Sequence, residues 1–180
     1  MTTSANTPKR RPNLSLRPAR PDDALTLRRW ETSPHLAGLL GDDDWQWETA
    51  LDQHGAERKP FLAELDGRPI GFLEILDPSR DPELYWGETQ AGTRAIDLWI
   101  GEPEFIGRGF GRDMMRQAVN LCFADPAVHT ILVDPLVSNQ AAQRFYERCG
   151  FQFAAERRFG HDLCRVYKLA RARHERTPLF

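Results

Sequence analysis

The sequence predicts an α/β domain built on a mixed β-sheet, and three observations lead to this prediction. Strand-like and helix-like patterns follow one another as a strand, two helices, three strands, a helix, a strand, a helix and two strands. The dipeptide Asp66-Gly67 separates two apolar runs, as in a tight hairpin whose turn requires positive φ angles. A helix-like stretch also ends directly before Gly150, and glycine is well suited to a helix C-terminus.

The length of 180 residues favours one domain over two small ones. We expect this domain to comprise residues 14–171. Residues 1–13 are polar and predict a flexible N-terminal tail, and residues 172–180 predict a short C-terminal tail. The start of the chain is basic but no apolar segment follows it, so a secretory signal is not predicted.

Local signals justify the elements of the first third. The alternation of Leu14 to Arg17 indicates a short strand. Pro21 and the two acidic residues after it suit the first turn of a helix, whose N–H groups lack acceptors. Asp43 and Gln46 have the spacing of a capping box. They predict a second helix that carries three apolar residues: Trp45, Trp47 and Leu51.

The middle of the chain predicts three strands and a long connection. Residues 61–65 and 70–76 form the arms of the predicted hairpin, and residues 95–100 return to a strand pattern. The connection from Asp77 to Thr93 is long for a compact domain, and loops of this length are often functional.

The last third alternates helices and strands. The segment from Gly111 to Ala124 has apolar residues at helical spacing, which predicts core positions: Met114, Met115, Ala118, Val119, Cys122 and Phe123. A buried strand is predicted at 130–134, a helix at 139–149, and a closing pair of strands at 151–158 and 163–169.

Composition and charge exclude several classes of protein. The 24 Lys and Arg residues and 26 Asp and Glu residues give a net charge of −2, which argues against a nucleic-acid binder with a broad basic face. No apolar run approaches the ~20 residues that span a bilayer. The three cysteines and five histidines lack the spacing of a metal site, so we expect no metal and a reduced, cytoplasmic setting.

A glycine-rich turn between a predicted strand and the helix after it is the most informative segment. Gly107, Gly109 and Gly111 let the main chain approach a ligand closely, and the N–H groups there should point into one concavity at the positive end of a helix dipole. Two cations add to the positive charge, Arg108 and Arg112. This pattern predicts a diphosphate site, with a ligand-free structural turn as the alternative. The spacing excludes both the P-loop and the dinucleotide-binding glycine motif.

A second motif follows downstream and reads Asn139-x-x-Ala142-x-x-x-Tyr146-x-x-x-Gly150-Phe151. The two motifs, in this order, resemble those of the GNAT acetyltransferase superfamily, and the resemblance covers most of the predicted domain. It implies the GNAT fold, a mostly antiparallel mixed sheet that is splayed between two central strands and has helices on both faces. It also implies acetyl-CoA as the donor of an acetyl group, with no metal.

The resemblance also implies which residues bind this donor. Leu98, Trp99 and Ile100 would form the splayed strand segment that pairs with the pantetheine arm, and Asn139 would contact the donor near the second splayed strand. The glycine turn would hold the diphosphate through Arg108, Gly109, Phe110, Gly111 and Arg112. Relatives usually carry Gln or Arg where this chain has Ile106, a departure of small effect if main-chain N–H groups carry the binding.

The chemistry of acetyl transfer to an amine points to three candidate catalytic residues. An ammonium group must lose a proton before it attacks, and Asp97 is the candidate that anchors the ammonium or accepts this proton. Asp134, at the end of the next strand, is the second acid. Tyr146 lies two helical turns after Asn139 on the same helix face, so its hydroxyl is the candidate proton donor to the CoA thiolate. The alternative roles are strand-end caps for the two acids and a core position for the tyrosine.

Within the superfamily, the resemblance points to aminoglycoside 6′-N-acetyltransferases, in which the acids matching Asp97 and Asp134 face the aminosugar. A tryptophan pair of those enzymes is replaced here by Leu39-Leu40. Other aromatic walls could come from Trp45, Trp47, Trp86 and Trp99.

The predicted function is therefore transfer of an acetyl group from acetyl-CoA to the primary amine of a small molecule, by direct attack in a ternary complex. The predicted state is a monomer or homodimer without nucleic-acid or membrane partners. A siderophore-type lysine N-acyltransferase, a protein or peptide N-acetyltransferase and a CoA-binding regulatory module are the alternatives.

Overall fold

A computed structural model of the chain describes residues 13–40, 45–52, 55–82 and 84–176. Within these residues one sheet is formed by β1 (Leu14–Pro18), β2 (Arg58–Leu65), β3 (Arg68–Leu76), β4 (Thr93–Ile100), β5 (Thr130–Val133), β6 (Gln152–Phe159) and β7 (Asp162–Ala170). The α-helices are α1 (Ala24–Glu31), α2 (Trp47–Asp52), α3 (Phe110–Phe123), α4 (Gln140–Arg148) and α5 (Arg171–Arg176). The strand order is β1-β2-β3-β4-β5-β7-β6, and every neighbouring pair is antiparallel except β4–β5. The predicted mixed, mostly antiparallel sheet is confirmed.

The hairpin of β2 and β3 turns at Asp66 and Gly67, whose φ angles are 50° and 84°. Two consecutive positive φ angles are characteristic of a type I′ turn, whose twist matches that of the strands it joins. The pairing register shifts by one residue between Ala63 and Glu64. Because side chains alternate between the two faces of a strand, this shift determines which residues of β2 lie on each face.

Each face of the sheet carries its own apolar core. One face is covered by α3 and α4, and its fully buried side chains include Leu73, Met114, Met115, Val119 and Ile131. The opposite face is covered by α1 and α2, and its core includes Leu27, Trp30, Trp47, Phe72 and Trp99. The sheet therefore separates two layers of helices, as predicted.

The helical spacing of the last third of the chain matches the structure. Five of the residues predicted as core positions of α3 are buried: Met114, Met115, Ala118, Val119 and Cys122. Phe123 is partly buried and packs against the same core. Gly150 follows α4 with a φ of 85°, a conformation that other residues adopt only with strain.

Two local predictions differ from the structure. The second helix begins at Trp47, so Trp45 precedes it, and the predicted capping residue Asp43 lies outside the described residues. The predicted C-terminal tail contains α5. The Arg171 guanidinium donates to the carbonyl oxygens of Val128 at 2.7 Å and Phe123 at 3.0 Å, which holds this helix against the end of α3. Residues 1–12 and 177–180 lie outside the described part of the chain.

The pairing of β4 with β5 is short. It extends over three residue pairs, from Thr93–Thr130 to Ala95–Leu132. Beyond Ala95, β4 continues to Ile100 in register with β3 alone. The two central strands therefore diverge, and one edge of β4 faces a gap in the middle of the sheet.

Candidate active site

The direction of the main-chain groups at this gap follows from one hydrogen bond just beyond β4. The N–H of Gly101 donates to the carbonyl oxygen of Ile70 at 2.8 Å. Hydrogen-bonded pairs alternate with non-hydrogen-bonded pairs along antiparallel strands. The main-chain groups of Trp99 therefore point toward β3, whereas those of Leu98 and Ile100 point toward the gap.

Leu98 and Ile100 thus present main-chain N–H groups that could pair with an extended ligand. The carbonyl oxygen of Ile100 lies 3.1 Å from Nε2 of His35, so one group at the far end of this edge already has a neighbour within the protein. The sequence resemblance implies that Trp99 belongs to the same donor-binding segment as these two residues. Its main chain belongs to the β3–β4 ladder, and its side chain is the part that reaches the cleft described next.

A cleft of about 540 Å³ opens at the gap. It is lined by residues from both faces of the sheet, and among the predicted site residues it brings together Asp97, Leu98, Trp99, Asp134, Asn139 and Tyr146. The register places the Asp97 and Trp99 side chains on the α1/α2 face, since Trp99 contacts Phe72 there at a ring-centroid distance of 4.6 Å. Tyr146 belongs to the core of the α3/α4 face. The cleft therefore connects the two faces through the sheet.

The glycine turn lies beside this cleft and does not line it. Its main chain has positive φ angles at Gly107 (74°) and Gly109 (92°), and a Cβ atom added at either position would meet nothing within 4 Å. Both surfaces are therefore open to a ligand. A Cβ atom added at Gly111 would lie 3.6 Å from the ring of Phe145, which places the turn next to α4.

The N-terminus of α3 completes this open surface. Phe110 and Gly111 are the first residues of the helix, where N–H groups have no acceptor within the helix, and the helix dipole is positive. Arg108 and Arg112 are both exposed, and the Arg108 guanidinium lies 5.8 Å from the ring centroid of Phe105. The geometry fits a diphosphate, because anions bind readily to such helix starts.

Asn139 has a structural role in addition to its place in the cleft. It is the N-cap of α4, and its Oδ1 accepts a hydrogen bond from the N–H of Ala142 at 3.1 Å. The side-chain amide can still donate to a ligand, since only its oxygen takes part in the cap.

We expect Asn139→Ala to lower the free energy of unfolding by about 1 kcal/mol, because the first turn of α4 loses its cap. Asn139→Ser should retain most of this stability, since serine caps equally well, while it lacks the amide donor. Urea denaturation of both variants, with CoA affinity measured in parallel, separates the two roles. Equal stability of the alanine variant and the wild type would contradict the capping role.

Tyr146 is almost fully enclosed in the wall of the cleft, with 7% of its surface exposed. Its ring contacts those of Phe145 and Phe151 at centroid distances of 5.3 and 5.8 Å, which fix its position. Burial raises the pKa of its phenol well above the ordinary value, and the negative charges of Asp97 and Asp134 act in the same direction. The hydroxyl is therefore protonated in the resting protein.

The two candidate acids lie in different surroundings. Asp97 is opposite Glu74 in the β3–β4 register, so two carboxylates share one patch of the sheet. Asp134 follows β5, and its Oδ2 accepts a hydrogen bond of 2.9 Å from the hydroxyl of Tyr85. Burial and the negative charge of Asp134 raise the pKa of the Tyr85 phenol, so this hydroxyl remains a donor.

Sequence reasoning missed several polar residues of the cleft, among them Tyr85 and Arg58. Tyr85 lies on the long connection after β3, and its ring stacks on Phe159 at a centroid distance of 4.5 Å. The length of that connection predicts a functional loop, but its residue pattern does not identify which of its side chains reach the site. Arg58 forms an ion pair with Glu74, with 2.7 Å between Nη2 and Oε2.

Aromatic rings form part of the cleft wall, as predicted. Trp45 stacks on Trp47 at 4.9 Å, and Trp99 approaches Trp45 edge-on at 5.4 Å. All four predicted tryptophans line the cleft, as do the two leucines expected at the position of a tryptophan pair: Trp45, Trp47, Trp86, Trp99, Leu39 and Leu40.

A cysteine nucleophile is not supported by the structure. Cys149 is 1% exposed, and burial raises the pKa of its thiol to about 11. Thiolates are the nucleophilic form of cysteine, so this thiol is unreactive near neutral pH. The described residues contain no cluster of three or more His, Cys, Asp or Glu side chains suited to a metal ion. Within the same part of the chain, every helix is too short or too polar to cross a bilayer.

The chain is similar to proteins of known function. A family model described as an acetyltransferase (GNAT) domain matches residues 20–159. The chain is 37% identical over 149 residues to the aminoglycoside N(6′)-acetyltransferase type 1 of Klebsiella pneumoniae, covering 78% of this chain and 74% of the relative. It is 28% identical over 155 residues to the lysine N-acyltransferase MbtK of Mycobacterium tuberculosis, covering 83% of this chain and 73% of that protein.

The fold has close counterparts among solved structures. The aminoglycoside acetyltransferase AAC(6′)-Ib in complex with coenzyme A superposes with a TM-score of 0.83 at 28% identity, covering 92% of this chain and 99% of that chain. A complex of the same enzyme with coenzyme A and kanamycin gives a TM-score of 0.82 at 26% identity, with the same coverage.

Proposed function

This chain belongs to the GNAT acetyltransferase family and is an acetyl-CoA-dependent N-acetyltransferase, and on that premise we propose that its acceptor is an aminoglycoside that it acetylates at the 6′-amine. The similarity to aminoglycoside N(6′)-acetyltransferase supports this acceptor class. The charge of the cleft supports it independently.

The observation that carries the proposal is the excess of carboxylates in the cleft. Among the described residues that line it, one basic side chain, Arg58, faces five acids: Glu74, Asp81, Asp97, Asp134 and Asp162. Such a field concentrates polycations and raises their rate of association. Aminoglycosides carry several ammonium groups and an apolar ring face, which suits an acidic cleft with aromatic walls.

Acetyl-CoA supplies the activated acetyl thioester, and we propose that the glycine turn and the edge of β4 bind it. The N–H of Leu98 donates to the carbonyl oxygen that gains negative charge during transfer. Asp97 binds the acceptor's ammonium group and takes up its proton, so that the amine attacks as a free base. Tyr146 gives its proton to the departing sulfur as the C–S bond breaks, and the second proton of the attacking nitrogen passes to the phenolate, which restores the phenol. Asp134, held by Tyr85, binds a further ammonium group of the acceptor.

The test is an acetyl-CoA-dependent thiol-release assay on a panel of kanamycin A, spermidine, lysine and a lysine-containing peptide. We expect turnover with kanamycin A at a kcat/KM at least about tenfold above the other acceptors, because binding to several carboxylates adds to transition-state stabilisation. Identification of the acetylated nitrogen by NMR should place the acetyl group on the 6′-amine.

Two results would contradict the proposal. Turnover confined to lysine or the peptide would instead favour the lysine N-acyltransferase or protein N-acetyltransferase alternatives. CoA binding without turnover of any acceptor would favour a regulatory module.

A further inference from the structure

Arg58 is the one basic side chain among the described residues of the cleft wall. Its Nη2 lies 2.7 Å from Oε2 of Glu74, and its Nε lies 3.2 Å from the same oxygen. The Glu74 side chain is 6% exposed, and the Arg58 side chain is 40% exposed. The carboxylate is therefore enclosed by the protein, while the guanidinium that neutralises it borders the cleft. Charge-assisted pairs with two donors to a buried carboxylate are well ordered.

Three neighbouring strands place this pair next to the proposed amine site. Glu74 of β3 is directly opposite Asp97 of β4, and the Cβ atoms of such cross-strand pairs are about 4.5–5.5 Å apart. Arg58 of β2 is opposite Leu76, two residues from Glu74 and thus on the same face. Adjacent carboxylates repel each other, and the guanidinium offsets this repulsion.

The positive charge of Arg58 is permanent. Burial alone would lower the pKa of the guanidinium, but the hydrogen bonds to Glu74 and the negative charges of Glu74, Asp97 and Asp81 raise it instead. The group beside Glu74 is therefore a cation at every pH at which the enzyme works.

We propose that Arg58 is a specificity-determining residue that occupies the place beside Glu74 where a second ammonium group of the acceptor would otherwise bind. The inference rests on the proposed function. Because Glu74 neighbours Asp97, an ammonium group at Glu74 would belong to the same sugar ring as the reacting amine. Arg58 fills that place. A second amine on the ring that bears the 6′-amine therefore adds nothing to the affinity for the acceptor, and a ring with a hydroxyl at that position binds equally well. Ammonium groups of other rings still bind the remaining carboxylates.

Kanamycin A and kanamycin B form a matched pair for the test, because they differ only at position 2′ of the ring that carries the 6′-amine. Kanamycin A has a hydroxyl at this position, and kanamycin B has an amine. For the wild type we expect a KM for kanamycin B no lower than that for kanamycin A, despite its additional charge. Arg58→Gln should lower the KM for kanamycin B relative to kanamycin A about tenfold, since one newly available ion pair of about 1.4 kcal/mol has this effect. Arg58→Lys retains the cation and should keep the wild-type ratio.

The double variant R58Q/E74Q is the second control. It removes both charges, so the ratio of the two KM values should return to that of the wild type. A purely structural role of Arg58 would change both KM values equally in R58Q, and so would a general change in the field of the cleft. Either result would overturn the inference.

The wild-type enzyme alone also tests the inference, should the glutamine variant fail to fold. A wild-type KM about tenfold lower for kanamycin B than for kanamycin A would overturn it. Absence of turnover with both kanamycins would overturn the proposed function itself, whereas turnover with an unchanged ratio in R58Q would overturn only the role of Arg58.

Discussion

Replacement of Tyr146 by phenylalanine is expected to lower kcat by about 10²- to 10⁴-fold, the usual loss when a positioned proton donor is removed. The ring is held by Phe145 and Phe151, so phenylalanine should occupy the same volume and leave the fold intact. The affinity for CoA should change little, because the proposed role of the deleted hydroxyl is at the departing sulfur and not at the diphosphate. Steady-state kinetics together with calorimetric titration of CoA measure both quantities.

Tyr85→Phe is the matched control for this substitution. Tyr85 also borders the cleft, but its hydroxyl donates to Asp134, so its loss should mainly raise the KM of the acceptor.

Since burial raises the pKa of Tyr146 above its ordinary value, wild-type kcat should show no loss from ionisation of this phenol below about pH 10. An unchanged kcat in Tyr146→Phe would remove this residue from its proposed role.

Asp97→Asn is expected to reduce kcat/KM for the amine by about 10²- to 10⁴-fold at pH 7, with little effect on the binding of acetyl-CoA. Asparagine has nearly the same shape, but it neither attracts an ammonium group nor takes up a proton. The defect should shrink as the pH is raised from 7 to 9, because a larger fraction of the acceptor then arrives as free amine. A pH profile of kcat/KM for the variant and the wild type measures this convergence.

Asp162→Asn controls for the mere loss of one negative charge. Asp162 lines the same cleft, and its amide variant should raise the KM of a polycationic acceptor with kcat largely retained. If Asp97→Asn showed the same pattern at every pH, Asp97 would be an anchor for the substrate without a part in proton transfer. Wild-type kinetics in Asp97→Asn would give it a structural role alone.

Local patterns predicted most of the fold because the relevant signals lie close together in the chain. Asp66 and Gly67 determine a tight turn by their own conformational preferences, and the helical spacing of α3 determines its buried face. Asn139 and Tyr146 are seven residues apart on one helix, so their joint position in the cleft wall also follows from spacing.

The ion pair of Arg58 could not be predicted, because it depends on an irregularity of strand pairing. A two-residue turn at Asp66-Gly67 with regular pairing would place Glu74 opposite Lys59. The register shift between Ala63 and Glu64 places it opposite Pro60 instead. Side chains alternate along a strand, so this shift of one residue exchanges Lys59 for Arg58 on the cleft face.

The contact of Tyr85 with Asp134 escaped prediction for a different reason. The two residues are 49 positions apart, and the connection that carries Tyr85 is positioned by tertiary packing. Its ring stacks on Phe159, and Trp86 packs beside both in a small apolar cluster with Cys164 and Val166. Loops of this kind take their conformation from the surface they cover, and the sequence of the loop alone does not reveal that surface.

The short junction of β4 and β5 has a mechanical consequence. Three residue pairs join a four-stranded half of the sheet to a three-stranded half, so the main-chain ladder is weakest along its centre. Proteins open most readily between such cooperative units. A substrate that hydrogen-bonds to β4 and also touches α4 would span both units, and its binding energy would add to the stability of the whole domain. The proposed site of acetyl transfer is thus also the joint on which the rigidity of the domain depends.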